Sequence, residues 1–73
     1  MDYQKELGII REDIGLIYGP EEQARFNSFN PGWNPVHLLK TCFPGVYHLY
    51  KKSFLAELAR EWFNRTFPER VKQ

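Results

Sequence analysis

The chain is poor in the usual means of holding a small protein together. Its 73 residues contain one cysteine, Cys42, so no disulfide can form within it. The Cys-x-x-Cys and His-x₃₋₅-His pairings of structural zinc are missing, and His37, Cys42 and His48 make too few ligands at the wrong spacing. His37 and Cys42 are also off the spacing of one helix face, so the plain reading is a small thiol and two ordinary imidazoles. No apolar run approaches the ~20 residues of a membrane span. The start, MDYQKELG, lacks the basic and apolar regions of an export signal. With the lone thiol, this leads us to expect a cytoplasmic protein and no membrane partner. Asn64-Arg65-Thr66 matches a glycosylation pattern that carries little meaning without export.

Charge of one sign is lacking too. Ten basic and nine acidic residues give a net charge of +1, which offers no general attraction for nucleic acid or anionic lipid. Walker, dinucleotide-binding, zinc-protease, nucleophile-elbow and EF-hand patterns are absent. The carboxylates suit helix starts (Glu21, Glu22) and solvated faces (Glu57, Glu61) better than an acid–base couple. A Cys–His nucleophile pair would need an orienting base and an oxyanion site, and no residue pattern specifies them. We therefore expect no enzyme, no catalytic residue, no metal and no cofactor.

What the chain does have is aromatics: six Phe, four Tyr and two Trp, 16% of residues. A single domain spanning 1–73 buries only ~60–65% of its unfolded surface, so large rings either build the core or remain outside as a binding surface. The clearest pattern is Ser53 to Phe67. Phe54, Leu55, Leu58, Ala59, Trp62 and Phe63 share one helical face, and Glu57–Arg60 and Glu61–Arg65 are spaced for opposite-charge pairs on the other.

The remaining signals predict an all-α bundle of about four helices at 2–18, 20–29, 35–43 and 46–65. In the first, Tyr3, Leu7, Ile10, Ile14 and Ile17 keep helical spacing, with Asp2 as N-cap. Gly8 and Gly15 weaken it by roughly 0.8–1.0 kcal/mol each. Gly19-Pro20 ends it, and Pro20 opens the second helix, expected to bury Phe26 and Phe29. Asn34-Pro35 reads as N-cap and first residue of the third, which Pro44-Gly45 closes. In the fourth, Tyr47, Tyr50, Phe54, Leu58 and Trp62 run on at three and four residues. Lys51 and Lys52 would oppose the dipole of a helix starting at Ser53, which favours one continuous helix. Residues 68–73 read as a fraying tail. The alternative is an α+β fold with a hairpin at 7–18 and a strand at 46–50, favoured by β-branched Ile and by Val and Tyr. The hairpin lacks a Gly or Asn in its turn.

Function is expected from surfaces. The leading reading is a non-enzymatic protein–protein interaction module or regulator that binds another protein or itself. Ile9, Leu16 and Ile17 widen the apolar face of the first helix, which suits self-association. Trp33, on a Pro/Gly loop, is either a core plug, preferred for so small a domain, or an exposed anchor for a partner. The alternative is nucleic-acid binding through Tyr47, Tyr50, Lys51 and Lys52, where rings interleave with cations. From 46 to 73 there are six basic residues against three acidic, a modest local excess. A helix-turn-helix reading of 35–43 and 46–65 is weakened because Val-Tyr-His-Leu-Tyr supplies few base-reading groups. The candidate interaction residues are thus Trp33, Tyr47, Tyr50, Lys51, Lys52, Ile9 and Leu16.

Overall fold

A computed structural model describes residues 1–71. They form six helices: α1 (Tyr3–Ile17), α2 (Pro20–Ser28), α3 (Pro35–Cys42), α4 (Pro44–Tyr47), α5 (Lys52–Thr66) and α6 (Pro68–Val71). The fold is all-α, and neither the hairpin at 7–18 nor the strand at 46–50 is present among the described residues. Local chemistry sets the starts. Asp2 accepts a hydrogen bond from the backbone N–H of Lys5 at 3.2 Å, and Asn34 accepts one from Val36 at 3.0 Å. Gly19, at φ 114°, makes the turn between α1 and α2, and Pro20 fits the first position of α2.

The core is centred on Phe43, which is fully buried where α3 hands over to α4. Tyr18, Phe26 and Phe29 meet its ring edge-on at 5.7, 5.9 and 6.5 Å, the arrangement aromatic quadrupoles prefer. Ile10 and Ile14 of α1, Leu39 of α3, Val46 of α4 and Leu58 of α5 complete the centre, all without exposed surface. α1 packs on α2, α4 and α5, and α3 packs on α4 and α5. The radius of gyration is 12.4 Å against about 11 Å expected for this length. With a long axis of 42 Å, the bundle is elongated and leaves open grooves between its helices.

The expected continuous helix at 46–65 is broken. α4 ends at Tyr47, and α5 begins at Lys52 with Lys51 as its N-cap and no side-chain cap. Packing explains the break. Val46 and Leu55 are nine residues apart, which at about 100° per residue places them on opposite faces of one helix. Both are buried in the same core, so the chain must turn between them. Two exposed lysines at a helix N-terminus cost roughly 0.3–1 kcal/mol each, and burying Val and Leu is worth about 1.5–3 kcal/mol each. The turn is anchored by the Tyr50 hydroxyl, which donates to the Asp13 carboxylate of α1. Pro44 likewise opens α4 where it was expected only to close α3. Of the expected tail, 68–71 is a turn of helix and 72–73 lie outside the described residues.

Candidate functional site

One concavity runs along one shoulder of α1. Helical spacing puts Gln4, Leu7 and Arg11 in line on that shoulder, beside buried Tyr3. Across from them, Phe26 and Asn27 of α2, Phe29 just beyond its end and the loop Asn30–Trp33 form the other wall, with Pro35 and Leu38 as the floor. The groove encloses about 250 Å³. The loop is shaped by its own sequence. The Asn30 carboxamide accepts from the N–H of Gly32 at 2.7 Å, and the Asn30 carbonyl accepts from the N–H of Trp33 at 2.9 Å. This turn carries Trp33 outward, so it is 52% exposed instead of plugging the core. Its ring leans on Phe29 at 5.3 Å. Phe26 and Phe29 are half-buried, one side in the core and the other in the groove.

A second, shallower concavity continues the first, sharing Tyr3, Gln4 and Pro31 with it and adding Trp62, Arg65 and Thr66 of α5. The Trp62 indole N–H donates to the carbonyl of Gly32 at 3.2 Å, tying α5 to the loop. Arg65 lies over the Tyr3 ring at 4.9 Å instead of pairing with Glu61, and the expected Glu57–Arg60 pair does not close either. Burial pushes the Tyr3 hydroxyl above its ordinary pKa, against the lowering pull of Arg65. Among the described residues, the continuous surface carries two charged side chains, Arg11 and Arg65, and no carboxylate lines it. Among the described residues neither arginine is in a salt bridge; the ion pair present, Arg25–Glu22 at 3.2 Å, belongs to α2.

The other candidate residues sit elsewhere. Ile9 and Leu16 lie on the outer side of α1, away from the core, and Leu16 is 84% exposed. Beside Leu16 is a dimple lined by Glu12, Gly15, Pro20 and Gln23. Lys51 and Lys52 are exposed at the start of α5. Tyr47 and Tyr50 are half-buried against the core. Tyr50 packs on Phe54 at 5.3 Å, and its hydroxyl is held by Asp13. Burial, then that hydrogen bond and the nearby carboxylates of Asp13 and Glu6, raise the Tyr50 pKa well above the ordinary tyrosine range. The two lysines are thus accompanied by rings already engaged in packing.

No known protein family, characterised protein or solved structure matches this chain. Trp33 was the one groove residue singled out from sequence. Leu7 was read as part of the apolar face of α1 and Arg65 as half of a pair with Glu61; Gln4 and Arg11 were not read as a site, although with Leu7 they announce themselves as a stripe flanking the Tyr3–Ile10–Ile14 face. Arg65 gives no such sign, because only the tertiary fold brings it to Tyr3. His37 and His48 are exposed, Cys42 is half-buried, and no group of three His, Cys, Asp or Glu converges among the described residues. No helix among them is long and apolar enough to cross a membrane.

Proposed function

We propose that this chain is a non-enzymatic protein–protein interaction module whose binding face is the groove between α1, α2 and the Trp33 loop. The observation that carries the reading is a half-exposed tryptophan at the mouth of an apolar concavity with polar groups on its rim. An aromatic anchor beside a pocket, ringed by Gln4, Asn27 and Arg11, is the arrangement of a binding hot spot. The groove is small for a drug-sized ligand but fits one or two side chains of a partner. The single thiol, half-buried with the Arg25 guanidinium 3.9 Å from its sulfur, fits work in the reducing cytoplasm. Nucleic-acid binding at Lys51 and Lys52 is the weaker alternative, because Tyr47 and Tyr50 are engaged in the core and Asp13 and Glu6 lie nearby.

Peptides selected by display against the immobilised protein test the main reading. They should perturb the amide signals of residues 3–11 and 29–35 and the Trp33 indole. Trp33→Ala should weaken them at least tenfold, the usual size of a hot-spot loss. Peptides that map elsewhere, or bind Trp33→Ala as well as the wild type, would sink the reading.

A second reading, self-association, rests on Leu16. An isologous dimer needs one patch that contains both a projection and a matching hollow. Leu16 and the dimple beside it at Gly15 provide both. Sedimentation should show a dimer that Leu16→Glu dissociates; a monomer throughout the micromolar range would count against it.

A further inference from the structure

Taking the groove as the binding face proposed above, we infer that its partner is an extended, acidic segment with one bulky apolar side chain between two carboxylates. The continuous surface from Trp33 to Trp62 is walled by rings, aliphatic side chains and a few carboxamides, and its charged groups among the described residues are both arginines. Neither is in a salt bridge with a carboxylate among the described residues. A guanidinium left unpaired beside an apolar concavity is a ready partner for a carboxylate, which it can hold through two parallel hydrogen bonds.

The two cations bracket the groove along α1. Arg11 is at one end, and Arg65 lies over Tyr3 at the other. Tyr3 and Arg11 are eight residues apart in one helix, or about 12 Å along its axis. Four residues of extended chain cover about 13 Å. Two carboxylates four positions apart therefore reach both arginines, and the side chain midway between them falls over the apolar floor. Extended chain is preferred over helix because the rim offers the amides of Gln4 and Asn27, which suit open backbone N–H and C=O groups; a helix has already satisfied its own.

Single-stranded nucleic acid is also anionic and flat, but the rings here do not suit it. Tyr3 is buried with Arg65 over its face, and the Trp62 N–H is engaged by Gly32. Two cations and a net charge of +1 give little phosphate attraction.

The test uses three probes on the full chain: a short peptide carrying one Trp with a Glu two positions to each side, its twin with both Glu replaced by Gln, and an oligothymidylate. The Glu peptide should perturb the groove signals and bind at least tenfold more tightly than the Gln twin, with affinity falling as salt is added. Arg11→Gln and Arg65→Gln, both at exposed positions, should together erase the difference between the peptides. Equal binding of the two peptides at the groove overturns the acidic partner while leaving the groove as a binding face. The same holds if neither designed peptide binds but display-selected peptides still map there. If no peptide of either origin perturbs the groove, both readings fall. Oligothymidylate bound at the groove more tightly than the Glu peptide overturns the inference in favour of nucleic acid.

Discussion

Phe29 stands between two aromatic neighbours with opposite fates. On one side it meets Phe43, which has no exposed surface; on the other it meets Trp33, half of which faces solvent. Ring size does not separate them, since the larger ring is the exposed one. Position does. Phe43 is the single residue between α3 and α4, where the chain turns from one helix into the next inside the bundle. Trp33 sits on a turn whose Asn30 and Gly32 contacts lift it away. A short chain cannot cover every ring it carries, so its helix junctions decide which rings hold the fold and which remain for a partner.

The largest expected effect is at Phe43. Phe43→Ala should cost about 3–5 kcal/mol through lost transfer energy and a cavity. Total stability for this length is on the order of 4–11 kcal/mol, so urea denaturation should show a protein near its unfolding threshold. By contrast, Trp33→Ala should lower stability by less than about 1 kcal/mol while abolishing most peptide affinity. Similar stability losses at the two positions would remove the division of labour proposed for them.

The seam between α1 and the turn before α5 gives a smaller effect with a pH signature. Tyr50→Phe deletes a hydrogen bond to the Asp13 carboxylate and should cost about 1–3 kcal/mol at neutral pH. The sign in alkali follows from linkage. Tyr50 has a higher pKa folded than unfolded, so above the ordinary tyrosine value of 10.0 the unfolded chain releases its proton first. The stabilisation is complete below that pH and is lost as pH rises through the folded value. Tyr50→Phe should therefore flatten the fall in stability above pH 10.0, leaving a residue from Tyr3, whose pKa is raised by burial. An unchanged alkaline slope would show that Tyr50 is not what holds this turn. Peptide affinity should not move, because Tyr50 lies away from the groove lining.

Much of the fold was legible because its signals are local. Asp2, Gly19-Pro20 and Asn34-Pro35 mark their boundaries through hydrogen bonds and φ preferences that reach only a few residues. Leu55 and Leu58 were placed by helical period, and both are buried. The break at 48–51 was hidden because Tyr47, Tyr50 and Phe54 keep helical spacing across it. Only the burial of Val46 and Leu55 on one side, with the pull of Asp13, reveals the turn. Trp33 was misplaced because residue type argues for burial while the turn that exposes it depends on Asn30. The groove was half legible, since Gln4, Leu7 and Arg11 line up on α1, but Arg65 meets Tyr3 only through the packing of α5 on α1.

The mildest probe alters the helix that both regions share. A Cβ added to Gly8 meets no atom within 4 Å, so Gly8→Ala should gain about 0.8–1.0 kcal/mol from helix propensity alone. That gain should raise the thermal midpoint by several degrees. A Cβ on Gly15 comes within 2.7 Å of the Gln23 amide nitrogen, which donates to the Arg11 carbonyl at 3.3 Å. Gly15→Ala must displace that amide, and losing its exposed hydrogen bond offsets the propensity gain, leaving a net change below about 0.5 kcal/mol. If Gly8→Ala stabilises the bundle without changing peptide affinity, the stability of α1 and recognition by its shoulder are separable. If affinity falls as stability rises, the groove depends on give in α1, and the sharp contrast between a holding core and a binding face becomes a coupling between them.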